Sequence, residues 1–355
     1  MATAAFAQGA DNSLSVDRSS VAAGNASFDV AVVIVSYRTA ELTIACLRSV
    51  QAERQTSKEI SVRAFVVDNA SGDAAAIRAA MEAEGWQSWV TLIEAPVNGG
   101  FAYGNNLGVR YAYAERRPDY VYLLNPDTEV RAGAITALVR FLEASPRVGI
   151  AGGSFEQLDG RIWPIAFRFP TIVSELTHGL NLGIVSRLLQ RWTVAWPMVQ
   201  LTQPIDWICG AAMMIRPAVF DRMGGFDENY FLYFEETDFC NRARRAGYST
   251  WYVPESRVMH IMGQSTKVTN EKVILDRFPA YWFESRRRYF VMNFGMVHAM
   301  AIDVVAVLAS CLGLMKCLAL RRPRVPHYIR DLIKHSVLWP RNRALPAARC
   351  FRPDG

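Results

Sequence analysis

Asp127 closes the run Tyr120-Val-Tyr-Leu-Leu-Asn-Pro-Asp127-Thr128. Val121, Tyr122, Leu123 and Leu124 have the bulk of a buried strand, and Pro126 ends its ladder. A carboxylate at the carboxyl end of a parallel strand lies where open α/β sheets bind ligands. It can hold a hard divalent cation, and the cation can hold a diphosphate; an Asp in this place also serves as a turn or helix cap. A second group, Tyr233-Phe-Glu235-Glu236-Thr-Asp238-Phe-Cys-Asn-Arg242, sets three carboxylates within four residues. They repel one another unless a cation, an arginine or a proton occupies the site. On a helix Asp238 and Arg242 are i,i+4 neighbours and can pair, which leaves Glu235 and Glu236 to act as a base or to bind a hydroxyl. A solvated helix start, where acids suit the dipole, has the same composition. His260 follows a predicted strand, and a lone histidine serves structure as readily as a ligand set.

These side chains need elements to position them. Residues 28–37 (FDVAVVIVSY) form a continuous apolar, β-branched run, as in a strand covered on both faces. Leu42, Cys46, Leu47 and Val50 give helical spacing over residues 39–53, and a second strand over 62–67 ends at Asp68. A helix over 73–84, a third strand over 90–93, a helix ending near Ala114, the Tyr120–Leu124 strand and a helix over 131–143 continue the alternation. Such alternation predicts parallel βαβ units, with Ser36, Asp68 and Asp127 converging on one rim. Further on, residues 160–205 have no clear period, residues 206–215 read as one apolar strand, 235–246 as a helix and 250–253 as a short strand.

The glycine-rich stretch from Asn98 to Gly108 follows the third strand, whereas a dinucleotide fingerprint follows the first, which disfavours a nucleotide-dependent oxidoreductase. Gly100 and Gly104 would let the backbone and the Asn105 and Asn106 amides approach a ligand, or simply form a tight turn.

The chain has 355 residues, 51% hydrophobic and 20% charged, and a formal charge of +6. From Lys316 to the end there are ten Lys/Arg and two acids, so the rest is slightly acidic. A basic tail without aromatic interleaving points to an anionic membrane surface, not to nucleic acid. The six cysteines have no metal-ligand spacing and suit a reducing compartment, so the active part is expected in the cytoplasm. Residues 294–320 are apolar enough to cross a bilayer, but Asp303 would then lie in hydrocarbon. With Arg286-Arg287-Arg288 before it and Arg321-Arg322 after it, a helix lying on the membrane, peripherally associated, is expected. The domain reading is a disordered leader over 1–27, a catalytic domain over 28–278 and a helical, basic, membrane-associated extension over 279–355.

Together the motifs resemble the inverting family 2 glycosyltransferases with the A-type fold, in the bacterial rhamnosyltransferase-like branch. The residues that carry this are Val35-Ser36-Tyr37, Val66-Val-Asp68-Asn-Ala-Ser71, Asn98-x-Gly-Phe-Ala-x-Gly-x-Asn106-x-Gly108 and Leu124-Asn-Pro-Asp127-Thr. In the same order follow Trp207-x-x-Gly-Ala211, Gly224-Gly-Phe-Asp-Glu228, Tyr233-x-Glu-Glu-x-Asp238-x-Cys-x-Arg242, Pro254 and His260. Arg38 stands where the family usually has Asn, and Glu236 where it most often has Asp.

The resemblance implies an α/β fold with a mostly parallel sheet flanked by helices. It also implies transfer of a sugar from a nucleoside diphosphate, dTDP-L-rhamnose being common in this branch, to a lipid-linked saccharide acceptor. In that reading Glu236 is the base, with Glu235 as runner-up and Asp238 in support. Asp127 and His260 hold Mg²⁺ or Mn²⁺. Ser36, Tyr37 and Asp68 line the nucleobase and ribose, while Gly100, Asn106 and Asn125 lie nearer the sugar-diphosphate. The competing reading is a non-catalytic nucleotide-sugar-binding module of a membrane polysaccharide assembly complex.

Overall fold

The computed structural model describes residues 27–157, 161–163, 165–180, 189–196, 200–260, 277–321, 325 and 327–353. The leader expected over residues 1–27 lies outside them except for its last residue. The first half folds as its alternation dictates. In order come β1 (Phe28–Ser36), α1 (Ala40–Thr56), β2 (Ile60–Asp68), α2 (Ala74–Glu84), β3 (Val90–Glu94), α3 (Gly100–Glu115) and β4 (Tyr120–Leu124). Strands β3-β2-β1-β4 are parallel neighbours. Val30 to Ile34 are fully buried because helices cover both faces of β1.

The glycine-rich stretch belongs largely to this packing. A Cβ on Gly108 would stand 2.4 Å from Val33 Cγ1, and one on Gly104 2.7 Å from Val35 Cγ1. The absence of side chains at these two positions is what lets α3 lie against β1. Gly104 is thus a packing residue, not the ligand approach that its sequence context suggested.

The second half departs from expectation. After β5 (Thr128–Val130) and α4 (Ala134–Ala144) comes β6 (Val148–Glu156), a nine-residue strand that the sequence reading did not contain. Its glycines hide it. A Cβ on Gly152 would meet Ile208 Cδ1 at 2.4 Å, and one on Gly153 would meet Ser256 O at 2.1 Å, so the strand is glycine-rich because neighbours crowd it. Next come β7 (Ile162–Trp163), β8 (Ala166–Phe167), α5 (Ile172–Leu180) and β9 (Gln203–Ile205). The single strand expected over 206–215 is two: β10 (Trp207–Ile208), paired with β8, and β11 (Ala212–Ile215), antiparallel between β4 and β6. The Cys209–Ala211 break lies at the site. After α6 (Pro217–Met223) and α7 (Glu235–Arg245), β12 (Ser249–His260) runs twelve residues, not four. Within the described residues the sheet order is β3-β2-β1-β4-β11-β6-β12-β5, with β11 and β5 against the common direction.

The C-terminal part is α8 (Ala280–Phe294), α9 (Met296–Ala319) and α10 (Tyr328–His335). Asp303 is 2% exposed and pairs with Arg286 at 2.5 Å, which also binds Glu175 at 2.6 Å. Arg288 is buried against Asp227. Two of the three arginines expected to flank the membrane helix on its N-terminal side therefore point inward. The outward face of α9 carries Val297, Val304, Leu308, Leu312, Met315 and Leu318, all exposed. The last residues return to the connection between α6 and α7: Gly225 N donates to Phe351 O at 2.8 Å and Glu228 N to Arg349 O at 3.0 Å.

Candidate active site

The rim forms where β1 and β2 end in register, Ser36 beside Asp68. Both side chains are already engaged by the chain. Ser36 Oγ donates to Asp73 Oδ2 at 2.9 Å and is fully buried. Asp68 accepts from Ser71 N at 3.0 Å and from Ala74 N at 3.2 Å, tying the loop to the start of α2. Their side chains build the rim and do not project from it. Tyr37 does project: it is 38% exposed, with the Arg38 guanidinium 5.3 Å from its ring centroid.

Two further expectations change. Asn106 is fully buried; its amide donates to Phe226 O at 2.9 Å and to Glu228 Oε1 at 3.0 Å, and accepts from Phe226 N at 2.9 Å. It fastens the Gly224–Glu228 turn to α3 and has no group left for a sugar-diphosphate. Gly100 has φ +84°, and a Cβ there would stand 2.0 Å from Phe231 O. Its freedom brings α3 against the loop that leads to the acid cluster, since Phe101 N donates to that same Phe231 O at 2.9 Å.

Asp127 follows β4 and sits 5% exposed just before β5. The antiparallel pairing of β5 with β12 sets His260 opposite Thr128, so His260 Nε2 comes 3.2 Å from Asp127 Oδ1. His260 Nδ1 is buried with no hydrogen-bond partner among the described residues. Among the described residues no cluster of three or more His, Cys, Asp or Glu could hold a metal. A cation bound to this pair would draw its other ligands from substrate oxygens and water.

The acid cluster occupies the first turn of α7, where backbone N–H groups face an anion. It is reached through Tyr233 and Phe234, both left-handed at φ 69° and 68°, a conformation that costs energy in residues with side chains. α8 supports this turn: Phe234 packs on Trp282 at 5.9 Å and on Tyr289 at 5.6 Å between ring centroids, and Ser285 Oγ donates to Leu232 O at 3.0 Å. Asp238 has both oxygens occupied, by Arg242 Nε at 2.7 Å and by Asn293 Nδ2 at 2.7 Å. It anchors the helix and is not free to react.

Glu235 and Glu236 differ from it. Each keeps a buried Oε2 with no hydrogen-bond partner among the described residues. Burial, reinforced by the neighbouring Glu236, pushes the Glu235 carboxyl well above its ordinary range. Burial raises Glu236 to about 7, against the backbone N–H of its own residue and of Gly210, which favour the anion. Glu235 is 3% exposed while Glu236 is partly open, so Glu236 is the one that a ligand can reach.

The two acid groups meet around the Cys209–Ala211 loop. Asn125 N donates to Ala211 O at 2.9 Å on one side, and Gly210 lies against Glu236 on the other. The Cys209 thiol is pushed up to about 12, first by burial and then by the Glu236 charge, with Asp127 and Glu235 adding to it. One sulfur thus feels both clusters. The loop and Asn293 are the site residues that sequence reasoning missed. The Trp207-x-x-Gly-Ala211 match marked the loop without its role, and nothing marked Asn293.

Over residues 27–287 the chain matches the profile described as Glycosyltransferase like family 2. Over 151 residues it is 32% identical to the N-acetylglucosaminyl-diphospho-decaprenol L-rhamnosyltransferase of Mycobacterium tuberculosis (strain ATCC 25618 / H37Rv), covering 42% of this chain and 48% of that protein. It is 27% identical over 164 residues to Rhamnosyltransferase WbbL of Escherichia coli (strain K12), covering 45% and 60%. The matches thus span between about half and three fifths of these curated relatives. A solved mannosyltransferase from Pyrobaculum calidifontis, in complex with GDP-Man and Mn²⁺, has a similar fold, with TM-score 0.50, 16% identity and coverage of 87% of this chain and 79% of that one. The family profile takes in well over half of the chain, including Asp127, the acid cluster and His260, and the chain belongs to the glycosyltransferase-like family 2.

Proposed function

We propose that the protein transfers a sugar from a nucleoside diphosphate to an acceptor hydroxyl, with inversion at the anomeric carbon. The observation that carries this is the placement of Glu236, raised to about 7 and with one oxygen unpartnered, across the Cys209–Ala211 loop from the Asp127–His260 pair. A base poised near working pH takes a proton most effectively. The acceptor oxygen attacks the anomeric carbon, its proton passes to the Glu236 carboxylate, and the bond from that carbon to the diphosphate oxygen breaks. Asp238, held by Arg242 and Asn293, keeps the first turn of α7 in place for this. Glu235 is more deeply buried, its carboxyl held well above the ordinary range by burial and by Glu236, which leaves the partly open Glu236 as the acceptor.

Asp127 and His260 are the side chains that would hold Mg²⁺ or Mn²⁺. An oxygen and a nitrogen donor 3.2 Å apart at a strand end suit either ion, which when bound supplies positive charge for the leaving diphosphate. Tyr37, exposed one residue beyond the rim that Ser36 and Asp68 build, offers its ring to the nucleobase.

L-Rhamnose as the sugar, and a lipid-linked saccharide as the acceptor, are supported by the names of the two relatives. The apolar outward face of α9 and the basic C-terminal residues support peripheral attachment to the inner face of the cytoplasmic membrane. The buried Arg286–Asp303 pair favours a helix lying on the bilayer over one that spans it. All six cysteines are free, in keeping with the cytoplasm.

The test compares two variants. Glu236→Gln abolishes most turnover of dTDP-rhamnose while retaining donor-dependent protection against heating. Asp127→Ala loses the Mn²⁺-dependent part of that protection. Unchanged turnover in Glu236→Gln would overturn the base assignment.

A further inference from the structure

A cavity of about 1000 Å³ lies away from the acid clusters, between α5, α9 and α10. Helices α5 and α9 cross almost backbone to backbone: a Cβ on Gly313 would stand 2.1 Å from Gly179 O. Around this crossing the side chains that line the space include Leu314 and Cys317 of α9, Ile329 of α10 and Phe278. The same helix α9 carries, on its outer side, the exposed apolar row of Leu308, Leu312 and Met315. The charged and titratable side chains in the lining are His178, Cys317, His327, Tyr328 and Arg330, and among the described residues no carboxylate joins them. A mostly apolar lining, interrupted by Ser174, Thr177, Thr193 and Ser310 and carrying the exposed cation Arg330, suits a hydrocarbon chain that ends in a phosphate. Phe278 also leads toward the site. It packs on Trp282 at 5.1 Å, and Trp282 packs on Phe234, the residue before Glu235, at 5.9 Å.

We propose that this cavity receives the hydrocarbon chain of a lipid-diphosphate acceptor, entering from the bilayer along α9, with the diphosphate held near Arg330 and the saccharide directed past Phe278 and Trp282 to Glu236. The inference rests on the transferase reading for its direction. The existence of a lipid-diphosphate site can be tested without it.

The probe is geranylgeranyl diphosphate bearing a benzophenone at its far end, photolysed with the full chain in detergent, with the labelled peptides mapped by mass spectrometry. Labelling is expected in α5, α9 and α10 around the cavity, displaced by unlabelled polyprenyl diphosphate and not by phosphatidylglycerol vesicles. Cys317→Trp and Ile329→Trp, which fill the cavity from different walls, each cut labelling by about tenfold, the effect of losing roughly one well-buried contact. Both are expected to keep donor-dependent thermal protection, which shows that they fold. Label confined to the outer row of α9, or displaced equally by phosphatidylglycerol, would overturn the proposal in favour of ordinary bilayer contact. Cavity labelling in a protein whose Glu236→Gln variant retains full turnover would leave the lipid site standing and remove only the base assignment.

Discussion

On one wall, to one side of the Cys209–Ala211 loop, Asp127 meets a histidine nitrogen at 3.2 Å; on the other, Glu235 and Glu236 each keep a buried oxygen that nothing among the described residues satisfies. The first wall comes from strand ends, β4 and β12, brought together by sheet register. The second is the first turn of α7, reached through two left-handed residues and supported from α8. A partnered carboxylate beside a ligand-type nitrogen is arranged to share charge with something bound. A buried pair, each with an oxygen that has no partner among the described residues, is arranged to take up a proton. Division of labour between carboxylates is set by their surroundings, since the side chains themselves are nearly alike.

The largest expected effect comes from removing that division. Glu236→Gln should lose about 10²–10⁴ of turnover, the usual range for a positioned base. In the wild type the base must be deprotonated, so turnover should climb with pH until about 7 and then level off. Stability should move the other way. The folded value lies above the ordinary 4.5, so the stability that comes from keeping the proton is fully present below about 4.5 and is lost as pH rises through about 7. Glutamine cannot ionise, so the variant should melt above the wild type at pH 8, with the gap closing toward pH 4. A variant that melts lower at pH 8 would break the contrast between the walls.

Asp238 tests whether the second wall needs its anchor. Asp238→Ala leaves the Arg242 guanidinium and the Asn293 amide without their shared acceptor, at a cost of about 3 kcal/mol. Chemical denaturation would measure it, and a loss below about 1 kcal/mol, no more than an exposed pair is worth, would show that the anchor is dispensable.

The first wall predicts coupling. Asp127→Ala and His260→Ala should each weaken Mn²⁺-dependent donor protection by about tenfold, and the double variant should be little worse than either, as for residues that share one ligand. Additive losses would mean that the two side chains act on different things.

The same contrast explains what could be read from the sequence. The first wall was legible because β1 and β4 are continuous β-branched or apolar runs, each ending on a polar residue or followed closely by one, and local pattern alone locates them. The partnership of Asp127 with His260 was not legible from pattern, because it depends on the register of β12, eight residues longer than its apolar core suggested. The acid cluster announced itself by composition. The i,i+4 spacing of Asp238 and Arg242 also marked Glu235 and Glu236 as its free members, but the contacts of Asn293 and Gly210, 55 positions beyond Asp238 and 26 before Glu236, left no local trace. β6 was hidden by glycines at positions where no side chain fits.

The glycines of α3 give the smallest test, and one that sharpens the boundary between fold and site. If Gly108 serves only to bring α3 against β1, Gly108→Ala forces a methyl into a space where Val33 Cγ1 lies 2.4 Å from the added carbon. Overpacking of this kind costs about 1–2 kcal/mol, and Val33, fully buried in the sheet, has little room to give. The midpoint of denaturation should fall accordingly, while the Michaelis constant for the donor stays unchanged, because the strain lies under the sheet and not at its rim. Were the glycine instead a ligand-approach residue, the order would reverse: donor binding would weaken and stability would hold. Measured together on one variant, the two quantities separate packing from recognition in a glycine-rich stretch where the sequence alone allowed both, at Gly100 and Gly104.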